Sequence, residues 1–160
     1  MASRDELING IETLIAESRR IASVLNDDDW ARAVDQDGWN GAQVLAHIAG
    51  VGTVIPMFVN ALANAPAGAD AMGGTSNIDT MNAGFVNART GRTPADLAEE
   101  IAAAYGAVID YVRGVPDDLL LKRGTAGGHR DVPLGDLMMR MVILHGLAHI
   151  YSVYSSVFYA

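Results

Sequence analysis

The chain has 160 residues, 50% of them hydrophobic and only 6% aromatic, and carries a formal net charge of −8 at pH 7. This length suits one domain with a substantial core. The acidic balance, without a Lys or Arg cluster, excludes a typical nucleic-acid-binding surface. The lack of cysteine excludes a disulfide framework and a thiolate nucleophile. An Ala-rich composition favours packed helices, so we expect a single all-α domain over residues 1–160.

Compartment and membrane association follow from the same composition. The amino-terminal segment MASRDELING is charged and does not resemble a signal peptide, so we expect a cytoplasmic protein. Residues 39–69 and 141–160 lack Asp, Glu, Lys and Arg and are long enough to span a membrane. Both runs contain histidine, which is costly at bilayer depth, so we interpret them as core helices. The last run ends in aromatic residues that we expect to cover an apolar patch shared with a second subunit: Tyr151, Tyr154, Phe158 and Tyr159.

The first predicted helix begins at Ser3, because Ser3 and Glu6 match a capping box. It ends near Asn26, before the acidic run at residues 27–29. We expect this run to be a solvated turn and not a metal site, because adjacent carboxylates point in different directions.

A second helix is predicted over residues 40–65, after a polar loop bracketed by two tryptophans. Asn40 and Gln43 form its capping box. Gly50 and Gly52 would each weaken a helix by about 1 kcal/mol, which indicates a close helix approach or space for a ligand. Pro56 removes one backbone hydrogen bond, so we expect a kink in this helix.

Residues 64–75, rich in Ala, Gly and Pro, are predicted to form a loop. A short extra helix follows over residues 78–88. Asn82 on this helix has two equal interpretations, a surface amide or a residue that lines a pocket.

The third long helix is predicted to start at Thr93-Pro94 and to end at Gly114. Residues 119–130 are predicted to form a second loop, in which His129 is expected to be solvated. The last helix opens after Val132-Pro133 and runs to the carboxyl end. These elements predict a four-helix antiparallel bundle with one short extra helix.

Three of the four histidines lie on apolar faces of two predicted helices. His145 and His149 are four residues apart, so their side chains share one face of the last helix. His47 lies on the same face of the second helix as Val44 and Val51, which indicates that it also points inward.

A shared divalent ion would account for these inward imidazoles. Two ring nitrogens one helical turn apart can bind one ion, and a buried imidazole without a partner costs about 1–3 kcal/mol. We therefore predict a metal site of His47, His145 and His149. Three protein ligands, with the remaining positions left to water, are typical of a catalytic site. The alternative is a core of neutral, hydrogen-bonded histidines without an ion.

Several short motifs follow one another in a specific order. After the tryptophan-containing lead-in they are QVLAHIA at residues 43–49, IDTMN at 78–82 with Arg89 downstream, TPADL at 93–97, VPD at 115–117 and LHGLAH at 144–149. With these motifs the chain resembles the DinB-like superfamily. This superfamily includes the DinB/YfiT-type proteins and the amino-terminal domain of mycothiol-dependent maleylpyruvate isomerase.

The resemblance implies an up-down-down-up bundle in which His47, His145 and His149 hold a divalent ion, either zinc or nickel. It also implies frequent homodimers and a small-molecule substrate. For characterised relatives it implies thiol S-transferase or isomerase chemistry with a low-molecular-weight thiol. Relatives often place acidic residues soon after the helix-two histidine, where this chain has GVGT at residues 50–53. This departure argues against a carboxylate-assisted step.

Two hypotheses about function remain open at this point. The first is a metal-dependent transferase, in which the ion lowers the pKa of a bound thiol or water. The second is a non-catalytic metal-binding or stress-response module, favoured by the lack of an evident general base. A deep pocket that ends at the ion would favour the enzyme, whereas an ion sealed by side chains would favour a structural role.

Overall fold

Helices make up most of the fold, with one small antiparallel hairpin. The structure is a computed structural model and describes residues 1–35, 38–66, 68–71 and 75–159. Its elements in chain order are α1 (Arg4–Val24), α2 (Asp27–Arg32), α3 (Gly41–Asn64), α4 (Thr75–Asn87), α5 (Pro94–Gly114), α6 (Asp117–Leu121), β1 (Arg123–Ala126), β2 (His129–Pro133), α7 (Leu134–Met138), a π-helical segment (Met139–Leu144) and α8 (His145–Phe158). The predicted all-α class is confirmed. The last three elements form one continuous helix, called here the last helix (Leu134–Phe158).

Side-chain caps determine where the long helices begin. The Ser3 hydroxyl accepts a hydrogen bond from the backbone N–H of Glu6, and the Glu6 side chain accepts one from the Ser3 backbone. Asn40 and Gln43 form the same reciprocal pair at the start of α3, and Thr93 caps α5. Each cap satisfies an N–H group that the helix itself leaves without a partner. The predicted starts of these three helices are confirmed.

The prediction of a turn at residues 27–29 is wrong, although Asp27 and Asp28 are solvent-exposed as expected. α1 ends at Val24, and Asn26 then caps the short helix α2 by a capping box with Asp29. The three consecutive carboxylates occupy the first turn of α2, where the helix dipole favours negative charge. An acidic run therefore suits a helix start as well as a turn.

The predicted loop at residues 119–130 is also wrong over most of its length. It begins inside α6, and β1 then pairs with β2 in an antiparallel hairpin, with Ala126 opposite His129. Gly127 and Gly128 form the connection with φ values of 55° and 82°. Such values are favourable for glycine and match the tight turns of two-residue hairpins.

Contacts at both ends of α1 show that it runs antiparallel to α5. Near the start of α1, the Arg4 guanidinium donates to the carbonyl of Val115, just after the end of α5. Near the end of α1, Arg19 forms two hydrogen bonds of 2.8 and 2.7 Å with Glu99, close to the start of α5.

The last helix runs parallel to α1 and antiparallel to α3. The Ala2 N–H donates to Asp136 at the beginning of both helices, and Arg20 contacts Tyr154 near the ends of both. The start of α3 carries His47, which faces the middle of the last helix. Its end carries Leu62, which meets the beginning of that helix beside Gly124. The bundle therefore has the up-down-down-up order, with α2 and α6 as short helices beyond the predicted one.

Two glycines of α3 allow close helix packing, as predicted. A β-carbon at Gly50 would overlap Phe85 of α4, and one at Gly52 would lie 2.7 Å from the Tyr105 ring of α5. Both glycines and Tyr105 are buried. α3 continues through Pro56 to Asn64, and the predicted kink stays a prediction.

The two apolar runs form helices that, by length and composition, could cross a membrane: Gly41–Asn64 and Leu134–Phe158. Core helices of soluble proteins meet the same criterion, and over half of the α3 window is buried inside the bundle. The interpretation without a membrane stays a prediction. At the carboxyl end, Tyr151, Phe158 and Tyr159 are exposed, and Tyr154 stacks on Phe158. The predicted subunit interface at this patch also remains untested.

We expect Gly52→Ala to destabilise the fold by about 1–3 kcal/mol, because the added methyl group meets the buried Tyr105 ring. Gly106→Ala is the matched control, since a β-carbon there has nothing within 4 Å. The control should stabilise the helix by up to about 1 kcal/mol. Urea unfolding of both variants measures the difference, and equal stability of the two would contradict close packing at Gly52.

Candidate metal centre

Three imidazoles from two helices meet inside the bundle. His47 lies in the second turn of α3, whereas His145 begins α8 and His149 follows one turn later. The Nε2 atom of His145 lies 3.5 Å from Nε2 of His47 and 3.1 Å from Nε2 of His149. One ligand nitrogen from each of the three rings lies within 4.8 Å of the others. The three residues selected from the sequence are therefore brought together.

A buried carboxylate orients one of these rings. His149 Nδ1 lies 2.8 Å from Asp35 Oδ2, and the two side chains are only 4% and 0% exposed. The other oxygen of Asp35 accepts a hydrogen bond of 3.0 Å from the Trp39 backbone N–H. Since a carboxylate is an acceptor, the His149 proton lies on Nδ1. The lone pair of Nε2 is then directed at the other two histidines.

The three converging nitrogens have more lone pairs than protons to share. A neutral imidazole carries one N–H group, and that of His149 is already donated to Asp35. The Nε2 atom of His145 can donate its proton to one neighbour, which leaves the other nitrogen facing it without a donor. A cation accepts all three lone pairs at once, and imidazole nitrogens suit zinc and nickel. The residues present therefore fit a divalent transition-metal ion.

Burial keeps His47 in the form that binds metals. The pKa of His47 is lowered to about 3, mainly by desolvation and also by the neighbouring imidazoles of His149 and His145, against the opposing effect of Asp35. His47 is therefore neutral at physiological pH, as a metal ligand must be. Its Nδ1 atom is buried and has no hydrogen-bond partner in the part of the chain that is described.

The Trp39 indole forms an apolar wall behind the cluster. Its ring lies 4.9 Å from that of His47 and 6.1 Å from that of His149, centroid to centroid. The second pair is nearly parallel, with an interplanar angle of 14°. This packing restrains both rings and keeps water away from one side of the centre.

The cluster also borders a cavity of about 550 Å³. His145 is exposed and, together with His47, forms part of the cavity wall. Of the described residues, three further polar side chains line this wall, Asn82, His129 and Arg140, and the other described lining residues are apolar apart from Gly127. His129 is half-buried, lies in β2 instead of the predicted loop, and lines this cavity. Asn82 also lines the cavity, which favours the second of its two interpretations.

Two residues of this region were not identified from the sequence. Asp35 lies in the loop between the two tryptophans, 114 residues from His149, and a loop position has no periodicity that indicates its partner. The local feature that marks this position is a hydrogen bond from the Gly38 N–H to the Asp35 carbonyl, and it does not indicate His149 as a partner. Arg140 reaches the cavity through the π-helical segment, which the α-helical spacing does not predict.

The up-down-down-up bundle and its three-histidine cluster define the class of DinB-like helical bundles. The chain belongs to the family described as the mycothiol maleylpyruvate isomerase N-terminal domain, which matches residues 11–149. The predicted resemblance is thereby confirmed. No curated protein and no solved structure shows significant similarity to the chain.

We expect the purified protein to bind one zinc or nickel ion per chain and to lose stoichiometric binding in His145→Ala. This ligand is exposed, so its removal should leave the core intact. Elemental analysis after gel filtration measures the metal content, and circular dichroism checks the fold. His129→Ala is the control and should keep its metal. An unchanged metal content in His145→Ala would contradict the proposed ligand set.

We expect Asp35→Asn to weaken metal binding by about 10- to 100-fold, because outer partners hold a ligating imidazole in its orientation and tautomer. Asp131→Asn, at an exposed carboxylate of the hairpin, is the control and should leave affinity unchanged. Competition with a chromophoric chelator measures both affinities. Equal affinity of wild type and Asp35→Asn would show that the buried hydrogen bond does not act on the centre.

Proposed function

We propose that the chain is a metal-dependent enzyme that transfers or isomerises a small molecule with the help of a low-molecular-weight thiol. The observation that supports this most directly is the cavity, which ends on His47 and on the exposed His145. A site sealed by protein would instead favour a structural ion. The family description adds mycothiol as the first thiol to consider.

In this proposal His47, His145 and His149 hold the ion through their ring nitrogens. A divalent ion with three imidazole ligands supplies a Lewis acid that lowers the pKa of a thiol or water in a remaining coordination position. Asp35 keeps the proton of His149 on Nδ1, so that Nε2 remains a ligand.

The cavity wall orients the second reactant and excludes water from it. The wall is mainly apolar, which suits a hydrophobic electrophile. The lining residues that the structure describes include no Asp or Glu, so the proposal assigns no step to a carboxylate. An imidazole can both accept and donate a proton. Among the described cavity-lining side chains outside the histidine cluster, we therefore assign the proton transfer to His129.

The second candidate is a non-catalytic module that binds the metal and a small ligand. The lack of a carboxylate on the described cavity wall favours it, because few groups are then available for acid–base catalysis. The same cavity would in this case serve for sensing or storage.

We expect the zinc- or nickel-loaded protein to accelerate consumption of mycothiol in the presence of an alkylating electrophile, and maleylpyruvate is a second substrate to test. His145→Ala should abolish this acceleration, whereas Arg130→Met, at an exposed position outside the cavity, should keep it. Thiol titration and absorbance follow the two reactions. Full metal occupancy without turnover of mycothiol, cysteine or glutathione would refute the enzyme and favour the binding module.

A further inference from the structure

Arg140 is unusual among the arginines of this chain. Eight others form an ion pair with Asp or Glu: Arg4, Arg19, Arg20, Arg32, Arg89, Arg92, Arg113 and Arg123. Within the described residues, no carboxylate pairs with Arg130 or Arg140. Both side chains are exposed, but only Arg140 is part of the cavity wall. In a chain of net charge −8, one unpaired guanidinium thus lies where a ligand would bind.

The π-helical segment brings Arg140 to the same wall as His145. The backbone N–H of His145 donates to the carbonyl of Arg140, five residues earlier. In a regular α-helix, residues five apart point about 140° away from each other. In a π turn the hydrogen bond joins residues five apart, so the two side chains lie one turn apart on a similar face. Both residues line the cavity.

Two more polar groups lie on this wall, each from a different element. His129 extends from β2 and Asn82 from α4, and both line the cavity. The rest of the described wall is apolar, with residues such as Val51, Phe58 and Met141. An apolar ligand body suits such a wall.

We propose that the cavity binds a small molecule with an apolar body and one carboxylate, and that Arg140 is the residue that selects the carboxylate. This assignment rests on the proposed function, in which the same cavity opens onto the metal centre. A guanidinium can hold a carboxylate by two parallel hydrogen bonds. One unpaired arginine balances one negative charge, and the described wall contains no acidic side chain that could compete.

Octanoate and its neutral analogue octanamide test this proposal by isothermal titration calorimetry on the zinc-loaded protein. We expect octanoate to bind about two- to fivefold more tightly, the usual gain from an exposed charge pair. Arg140→Met should remove this preference, while Arg130→Met should keep it. Methionine retains the length and apolar character of the arginine stem, so the substitution removes mainly the charge.

Several results would overturn the proposal. These are the absence of octanoate binding, no preference in the wild type, a preference that survives Arg140→Met, or an equal loss in Arg130→Met. Tighter binding of octyl phosphate than of octanoate would also overturn the carboxylate assignment.

The same titrations are repeated with metal-depleted protein, whose folding is checked by circular dichroism. They test whether the preference for octanoate arises from binding of its carboxylate to zinc. The expected result is that the preference and its dependence on Arg140 persist. A preference that disappears with the metal would overturn the role of Arg140. These titrations need no thiol and no turnover. An inactive protein with the expected octanoate preference would therefore refute the proposed function and leave the ligand class standing.

Discussion

The buried hydrogen bond between Asp35 and His149 is the interaction on which the centre depends. A carboxylate removed from water is costly unless hydrogen bonds compensate for the lost solvation. Asp35 has these bonds from His149 and from the Trp39 backbone. Together they connect the loop before α3 to the last helix and determine which nitrogen of His149 faces the bundle interior. His145 meets that nitrogen from one turn earlier on the same helix, and His47 joins the pair from α3.

Much of the fold and the histidine cluster could be predicted because both depend on local periodicity. Capping residues such as Ser3 and Asn40 mark helix starts, and His145 and His149 are related by one helical turn. His47 joins them through its position on an apolar face, which in a four-helix bundle points to the shared interior.

The parts that the sequence did not predict depend on contacts between distant residues or on irregular backbone. Asp35 lies in a loop, and its partner is more than a hundred residues away. The hairpin strands are short and mostly polar, so they show no alternation of apolar and polar residues. Arg140 belongs to a segment in which the helical period changes, so α-helical spacing does not relate it to His145.

The π-helical segment between Met139 and Leu144 also makes the direction of the Arg140 side chain independent of the spacing between His145 and His149. Each ring of hydrogen-bonded backbone there encloses one residue more than in an α-helix. A deletion of one residue could thus restore the regular helix and rotate Arg140 away from the cavity, while His145 and His149 keep their mutual spacing. Related proteins could in this way exchange one ligand preference for another by a change in chain length alone, without any substitution at the centre.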